Sequence, residues 1–132
     1  MRILLVDDDE PTRLICRRFL ARLAGEPLDL EEAADGAAAM ERLRSTAYDG
    51  ILCDHRMGTV SGVDVLAFAR ERQPGAFRAL MTGFADPSLV EAARARAAVD
   101  AFIEKPMTSR EFEDVLQHRF LEPMMEAKRP GA

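Results

Sequence analysis

Five residues of this chain combine types and positions suited to phosphate and cation chemistry: Asp7, Asp8, Asp54, Thr82 and Lys105. Each stands at or just past the end of a short apolar run. Ile3-Leu4-Leu5-Val6 leads into Asp7-Asp8-Asp9, Ile51-Leu52-Cys53 into Asp54, and Ala79-Leu80-Met81 into Thr82; Ala101-Phe102-Ile103 reaches Lys105 after one more residue. Three carboxylates meeting one ammonium leave a pocket with net negative charge. Two like charges ~5 Å apart at an effective dielectric near 20 repel by roughly 3 kcal/mol, which raises the carboxyl pKa values. A hard divalent cation relieves that repulsion, and an all-oxygen donor set with room for water suits Mg²⁺. Such a cation also offsets charge on an incoming phosphoryl group. Asp54 can then act as a nucleophile and form an acyl phosphate. Lys105 supplies a point charge to a phosphoryl oxygen, Thr82 supplies a hydroxyl, and Gly83 keeps the approach open.

For these residues to meet, the runs must be strands of one sheet with their carboxyl ends together. Short continuous apolar runs suit strands buried on both faces, as in a parallel sheet. Between them lie segments with helical signals. Asp9 and Pro11 open a helix whose stripe is Ile15, Phe19 and Leu23, with Cys16 and Leu20 beside it. Leu28 to Ala33 is a weaker strand, and Ala37 to Arg44 is Ala-rich and helical. Gly62, Val65, Leu66 and Ala69 recur at helical spacing, as do Leu89, Val90, Ala93 and Ala97. Thr108 or Ser109 caps a last helix carrying Phe112, Val115, Leu116 and Phe120. Residues 122–132, with Pro123, Pro130 and Gly131, read as a short frayed tail. Strand and helix alternate five times with short connections, which is the pattern of an α/β parallel sheet with helices on both faces. Ligands of such sheets bind outside the carboxyl ends of the strands, where strand order reverses.

Bulk properties bound the function. The chain has 132 residues, enough for one sizeable core. A net charge of −5 and no basic cluster argue against binding a nucleic-acid backbone directly. No apolar run approaches the ~20 residues of a membrane span, and the N-terminus lacks the form of a signal peptide, which points to the cytoplasm. Cys16 and Cys53 lie far apart without metal-ligand spacing and read as reduced, buried thiols.

Taken together, Leu5-Val6-Asp7-Asp8, Asp54, Met81-Thr82-Gly83 and Lys105-Pro106 resemble the receiver domain of two-component response regulators. The likeness runs from Arg2 to about Leu121, so residues 1–121 are taken as the domain and 122–132 as the tail. The resemblance implies a doubly wound, flavodoxin-like sheet of five parallel strands in the order 2-1-3-4-5. It implies that Asp54 accepts a phosphoryl group from a sensor histidine kinase or a histidine phosphotransfer protein. By position, Asp8 would ligate Mg²⁺ directly and Asp7 mainly through water, with Asp54 and the backbone carbonyl of Arg56 completing the protein ligands. Phe102 falls at the family's switch aromatic, which turns inward as Thr82 moves toward the phosphate. The Lys105-Pro106 bond would be cis. Gly58 stands where the family usually carries Pro, which implies a more mobile loop after Asp54. Arg56 and Phe84 flank the site, and their bulk is expected to slow water attack on the acyl phosphate.

The function implied is a phosphorylation-controlled switch, not a turnover enzyme, that changes the surface of its fourth helix, fifth strand and fifth helix. With ~11 residues after the last helix there is no room for an output domain, which needs ~50 or more. Output then passes through another protein or through self-association. Two alternatives have weaker support. A Mg²⁺-dependent aspartyl phosphohydrolase needs a second acid two residues after its nucleophile, and that position is Arg56. A phosphorylation-independent adaptor would have no use for an intact Asp7, Asp8, Asp54, Thr82 and Lys105 set. Asp9 reads as a cap rather than a ligand. His55 reads as a solvent-facing loop residue, since a lone His lacks a partner. The Met124-Met125 pair either packs loosely or marks a contact surface.

Overall fold

The computed structural model describes residues 1–105 and 108–128. Five parallel strands form one sheet in the order β2-β1-β3-β4-β5. They are β1 (Arg2–Val6), β2 (Asp29–Ala33), β3 (Gly50–Asp54), β4 (Phe77–Thr82) and β5 (Ala101–Glu104). Four helices connect them: α1 (Glu10–Leu23), α2 (Gly36–Ser45), α3 (Gly62–Arg72) and α4 (Pro87–Ala97). A C-terminal helical run follows, composed of α5 (Ser109–Val115), a π-helical segment (Leu116–Leu121) and α6 (Glu122–Lys128).

Both faces of the sheet are covered, which is why the inner strands β1 and β3 read as apolar runs, while the edge strand β2 keeps three acids. Leu4, Val6, Ile51, Cys53 and Leu80 face one way and pack with Leu43, Leu66, Ala69, Ala93 and Ala97 of α2, α3 and α4. Ile3, Leu5, Leu52, Met81 and Ile103 face the other way, against Cys16 and Leu20 of α1 and Phe112, Leu116, Phe120 and Met124 of the C-terminal run. Side-chain caps start the helices. Asp9, Asp35, Ser61, Asp86 and Thr108 each accept a backbone N–H of the first turn, and Ser61 with Asp64 and Thr108 with Glu111 form reciprocal capping boxes. The pairing register aligns the strand ends: Val6 lies opposite Cys53, Asp54 opposite Met81, and Thr82 opposite Glu104.

Two expectations are corrected. The buried stripe of α1 is Cys16 and Leu20, while Ile15 is 38% exposed and Phe19 and Leu23 are half-buried. The helix is rotated because it packs beside the C-terminal run as well as on the sheet. Phe19 meets Phe112 edge-to-face with centroids 6.2 Å apart. The frayed tail expected from Glu122 is instead helical through Lys128, with Met124 fully buried. Pro123 lacks an N–H, and in a regular α-helix its ring would press on the carbonyl four residues earlier. The π-helical segment lies directly before it, and the Glu122 N–H reaches back five residues to the Gln117 carbonyl. This wider turn lets the helix continue past the proline. Met124 then lies against Gly50 at the start of β3, and Lys128 Nζ donates to the Gly75 carbonyl.

Candidate functional site

The chain goes from β1 outward to β2 and returns to β3 on the other side of β1, so strand order reverses between β1 and β3. Asp7 follows β1 and Asp54 ends β3, which places both at this crevice. Asp7, Asp8 and Asp54 each offer a carboxylate oxygen, and these atoms lie within 4.8 Å of one another. Asp7 and Asp54 are buried and Asp8 is exposed, so the cluster opens to solvent on the Asp8 side.

Each acid is held by its surroundings. The Asp7 N–H donates to the Ala33 carbonyl at 3.2 Å, and its own carbonyl accepts from Arg13 Nη1 at 2.6 Å. Asp7 Oδ1 accepts the Asp9 N–H at 2.9 Å. Asp7 Oδ2 is buried with no hydrogen-bond partner among the described residues and faces Lys105 Nζ at 3.6 Å. Lys105 Nζ lies closer to Asp54 Oδ1, at 3.1 Å. The backbone N–H of Lys105 donates to the Thr82 carbonyl at 2.8 Å, so the lysine is fixed to the end of β4. Just past Asp54, the His55 N–H donates to Met81 and its carbonyl accepts from the Gly62 N–H, each at 2.8 Å.

Electrostatics follow from burial and proximity. Burial pushes Asp7 up to about 6; the Asp9 N–H opposes this and the Asp54 charge adds to it. Burial also raises Asp54 above the usual carboxylate range, against the hydrogen bond and charge of Lys105. Burial alone would lower Lys105, but its contacts with Asp54 and Asp7 raise it overall. An orphaned buried carboxylate oxygen, an all-oxygen donor set and raised acid pKa values together fit a hard divalent cation. The cysteines behave as expected: both are free and buried, and burial raises Cys16 to about 12 and Cys53 well above its ordinary value.

Thr82 is buried, and its hydroxyl is engaged with its own loop, 3.3 Å from both the Phe84 N–H and the Phe84 carbonyl. His55, Arg56, Thr82, Gly83, Phe84, Asp86 and Leu89 line an open groove of about 390 Å³ beside the site. Arg56 is exposed on its rim, and Phe84 is 69% exposed. His55 is half-buried rather than solvent-facing, and its Nδ1 is enclosed with no hydrogen-bond partner among the described residues. Phe102 is outside the carboxylate cluster. It is half-buried, packs against the α2–α4 core, and carries Arg94 over its ring at 5.3 Å. Gly58 has φ +80, a left-handed turn that proline cannot adopt. Pro106 and the Lys105-Pro106 bond lie outside the described residues.

Sequence reasoning missed two supports. Arg13, which drew no sequence signal, fixes the Asp7 carbonyl and pairs with Glu32 at 3.1 Å. Gly62 reads as one helical position among several. A Cβ there would run into the Asp54 carbonyl oxygen and lie 2.8 Å from both His55 Cα and Leu80 Cδ1. The only signal available was a glycine directly after a serine cap, which does not reveal the backbone it touches.

Comparison with known proteins agrees with this geometry. A family model described as the response regulator receiver domain matches residues 3–117. The chain is 30% identical over 123 residues to a chemotaxis protein CheY of Pseudomonas aeruginosa, covering 91% of this chain and 96% of that one. It is 36% identical over 116 residues to a transcriptional regulator of Haloferax volcanii, covering 87% of this chain but 18% of that longer protein. Among solved structures, a CheY-like receiver domain protein from Methanospirillum hungatei superposes with a TM-score of 0.78 at 25% identity, covering 98% of both chains. With the strand order, the crevice and the carboxylate cluster in place, the chain belongs to the response regulator receiver domain family.

Proposed function

We propose that this protein is a phosphoacceptor switch of a two-component phosphorelay, acting in the cytoplasm. The observation that carries the proposal is Lys105 Nζ at 3.1 Å from Asp54 Oδ1, with carboxylates of Asp7 and Asp8 gathered on the same acid. A carboxylate of Asp54 attacks the phosphorus of a phosphohistidine on a sensor kinase or phosphotransfer protein. The P–N bond breaks, the imidazole leaves, and an acyl phosphate remains on Asp54. Asp8, Asp7, Asp54 and the backbone carbonyl of Arg56 would hold Mg²⁺, which supplies charge neutralisation at the transferring phosphoryl group. When Asp54 becomes an acyl phosphate it loses its carboxylate charge, and Lys105, 3.1 Å from it, follows the charge to a phosphoryl oxygen.

Thr82 reads the new group: among the described residues its hydroxyl contacts only the Phe84 backbone, and it can exchange that contact for a phosphoryl oxygen. Phe102 then turns inward, and the surface of α4, β5 and α5 changes for a downstream protein or a second copy. Self-phosphorylation from small donors and slow dephosphorylation are assisted by the same residues. An exposed Arg56 two residues after the nucleophile leaves no acid to protonate a leaving group, which disfavours a turnover phosphohydrolase.

The test is incubation with acetyl phosphate, with and without Mg²⁺, followed by intact-mass measurement. The expected result is a labile adduct of one phosphoryl group in the native chain, dependent on Mg²⁺ and missing from Asp54→Asn. No adduct and no effect of Mg²⁺ on stability would leave a phosphorylation-independent adaptor. Fast multiple turnover without accumulation would indicate a hydrolase.

A further inference from the structure

The two ends of α4 are held very differently. At its C-terminal end the guanidinium of Arg78, a β4 residue only 6% exposed, is enclosed by carbonyls. Nε donates to Ala97 at 2.9 Å and Nη2 to Ala98 at 3.4 Å, while Nη1 donates to Pro74 and Ala76 at 3.0 Å each. No ion pair of Arg78 with a carboxylate occurs among the described residues; its charge is met by the negative end of the α4 dipole. Its backbone N–H donates to the Asp100 carboxylate at 2.8 Å. Two more arginines fasten the same half of α4 to α3. Arg96 pairs with Asp64 at 2.8 Å, and Arg70 donates to the Ala95 carbonyl at 3.2 Å. The buried residues of α4, Ala93 and Ala97, are also in this half.

The end nearest the site has no such anchor within the helix itself; just before it, the Ala85 N–H donates to the Glu104 carboxylate of β5 at 3.3 Å. Asp86 caps the helix locally at 2.9 Å, Leu89 and Val90 are half-buried, and the preceding Phe84 is largely exposed. Among the described residues, no side chain of another element hydrogen-bonds Pro87, Ser88, Leu89 or Val90. Thr82 and Leu89 line the same groove, so a change at Thr82 meets the loose end first.

We infer that α4 works as a lever fixed at its C-terminal end, with Arg78 as the positioning residue that confines the response to residues 83–92. The inference rests on the switch function proposed above. It assigns the share of α4 in that changing surface to Phe84, Leu89 and the first turns of the helix, with residues 94–100 as an unmoving base.

The experiment is hydrogen–deuterium exchange by mass spectrometry on the full chain, with and without beryllofluoride and Mg²⁺ as the phosphoryl mimic. In the native chain, ligand-dependent change is expected in peptides covering 83–92 and around Asp54, and not in 94–100. In Arg78→Met the ligand-dependent change should spread into 94–100, with exchange there at least about threefold faster. Arg70→Ala removes an exposed hydrogen bond to the Ala95 carbonyl, leaves the core and the α3 capping box intact, and should spread the change in the same direction by a smaller amount; it keeps the test valid if Arg78→Met does not fold. Native change in 94–100 as large as in 83–92 overturns the lever, as does confinement to 83–92 in both variants. No ligand-dependent change anywhere, Asp54 included, overturns the switch function itself and the lever with it.

Discussion

Asp54 owes its position to a glycine that carries no chemistry. Gly62 passes so close to the Asp54 carbonyl, and to His55 and Leu80, that any side chain there must displace backbone. Overpacking of this kind costs about 1–3 kcal/mol. Gly62→Ala is therefore expected to lower stability by that amount in urea unfolding, and to reduce the rate of Asp54 phosphorylation by acetyl phosphate beyond what the stability loss explains. Gly83 is the control. A Cβ there meets nothing within 4 Å, so Gly83→Ala should leave stability within about 0.5 kcal/mol. A Gly62→Ala protein with native stability and native phosphorylation rate would show that the close approach relaxes at no cost. Of the site itself, the acids and Lys105 were legible because each ends an apolar run, and parallel pairing brings such ends together. Arg13, Gly62 and the half-buried His55 were not, since their roles depend on which backbone they approach in space.

At the scale of elements, the inner strands β1 and β3 were legible for a simple physical reason: burial on both faces leaves almost no polar position in the run, whereas the edge strand β2, with three acids, reads weakly. Helix faces were less so. The stripe of α1 was displaced by packing beside the C-terminal run, which no local period encodes. Least legible was α6, because Pro123 is a breaker signal and the π-helical segment that absorbs it has no sequence signature. The segment is nevertheless integral to the core. Met124 closes the amino ends of the strands, filling the space left by Gly50 beside Phe120, which meets Phe77 edge-to-face at 6.0 Å. Met124→Ala should cost about 2–5 kcal/mol, the range for truncating a fully buried Met. Urea unfolding should show the midpoint falling with an unchanged slope. A chain ending at Leu121 should lose at least as much. Unchanged stability in both would return residues 122–128 to the status of a tail.

For the molecule as a whole, the carboxylate cluster trades stability for cation binding, and pH separates the two. Asp7 has an ordinary value of 3.8 and is raised to about 6 in the fold. The native state therefore binds its proton more tightly than the unfolded chain, and stability falls as pH rises from 3.8 toward 6. That difference corresponds to roughly 3 kcal/mol as an upper bound. Asp54, also raised, acts in the same direction. Lys105, raised from 10.5, adds stability that is complete below that pH and lost only above it, outside this window. Asp9 and Asp64 are lowered and act oppositely, losing their contribution as pH falls, but they are common to the native chain and an Asp7 variant and cancel between them. Asp7→Asn keeps the Oδ1 that accepts the Asp9 N–H and removes the charge. In chelator near pH 7.5 it should be more stable than the native chain by roughly 1–3 kcal/mol, with the gap closing toward about pH 4. Saturating Mg²⁺ should stabilise the native chain more than the variant, since the variant keeps Asp8 and Asp54 but lacks one of the three charges that hold the ion. A native chain whose unfolding midpoint ignores Mg²⁺, alongside a variant no more stable than it near pH 7.5, would mean that these three carboxylates are not a cation site.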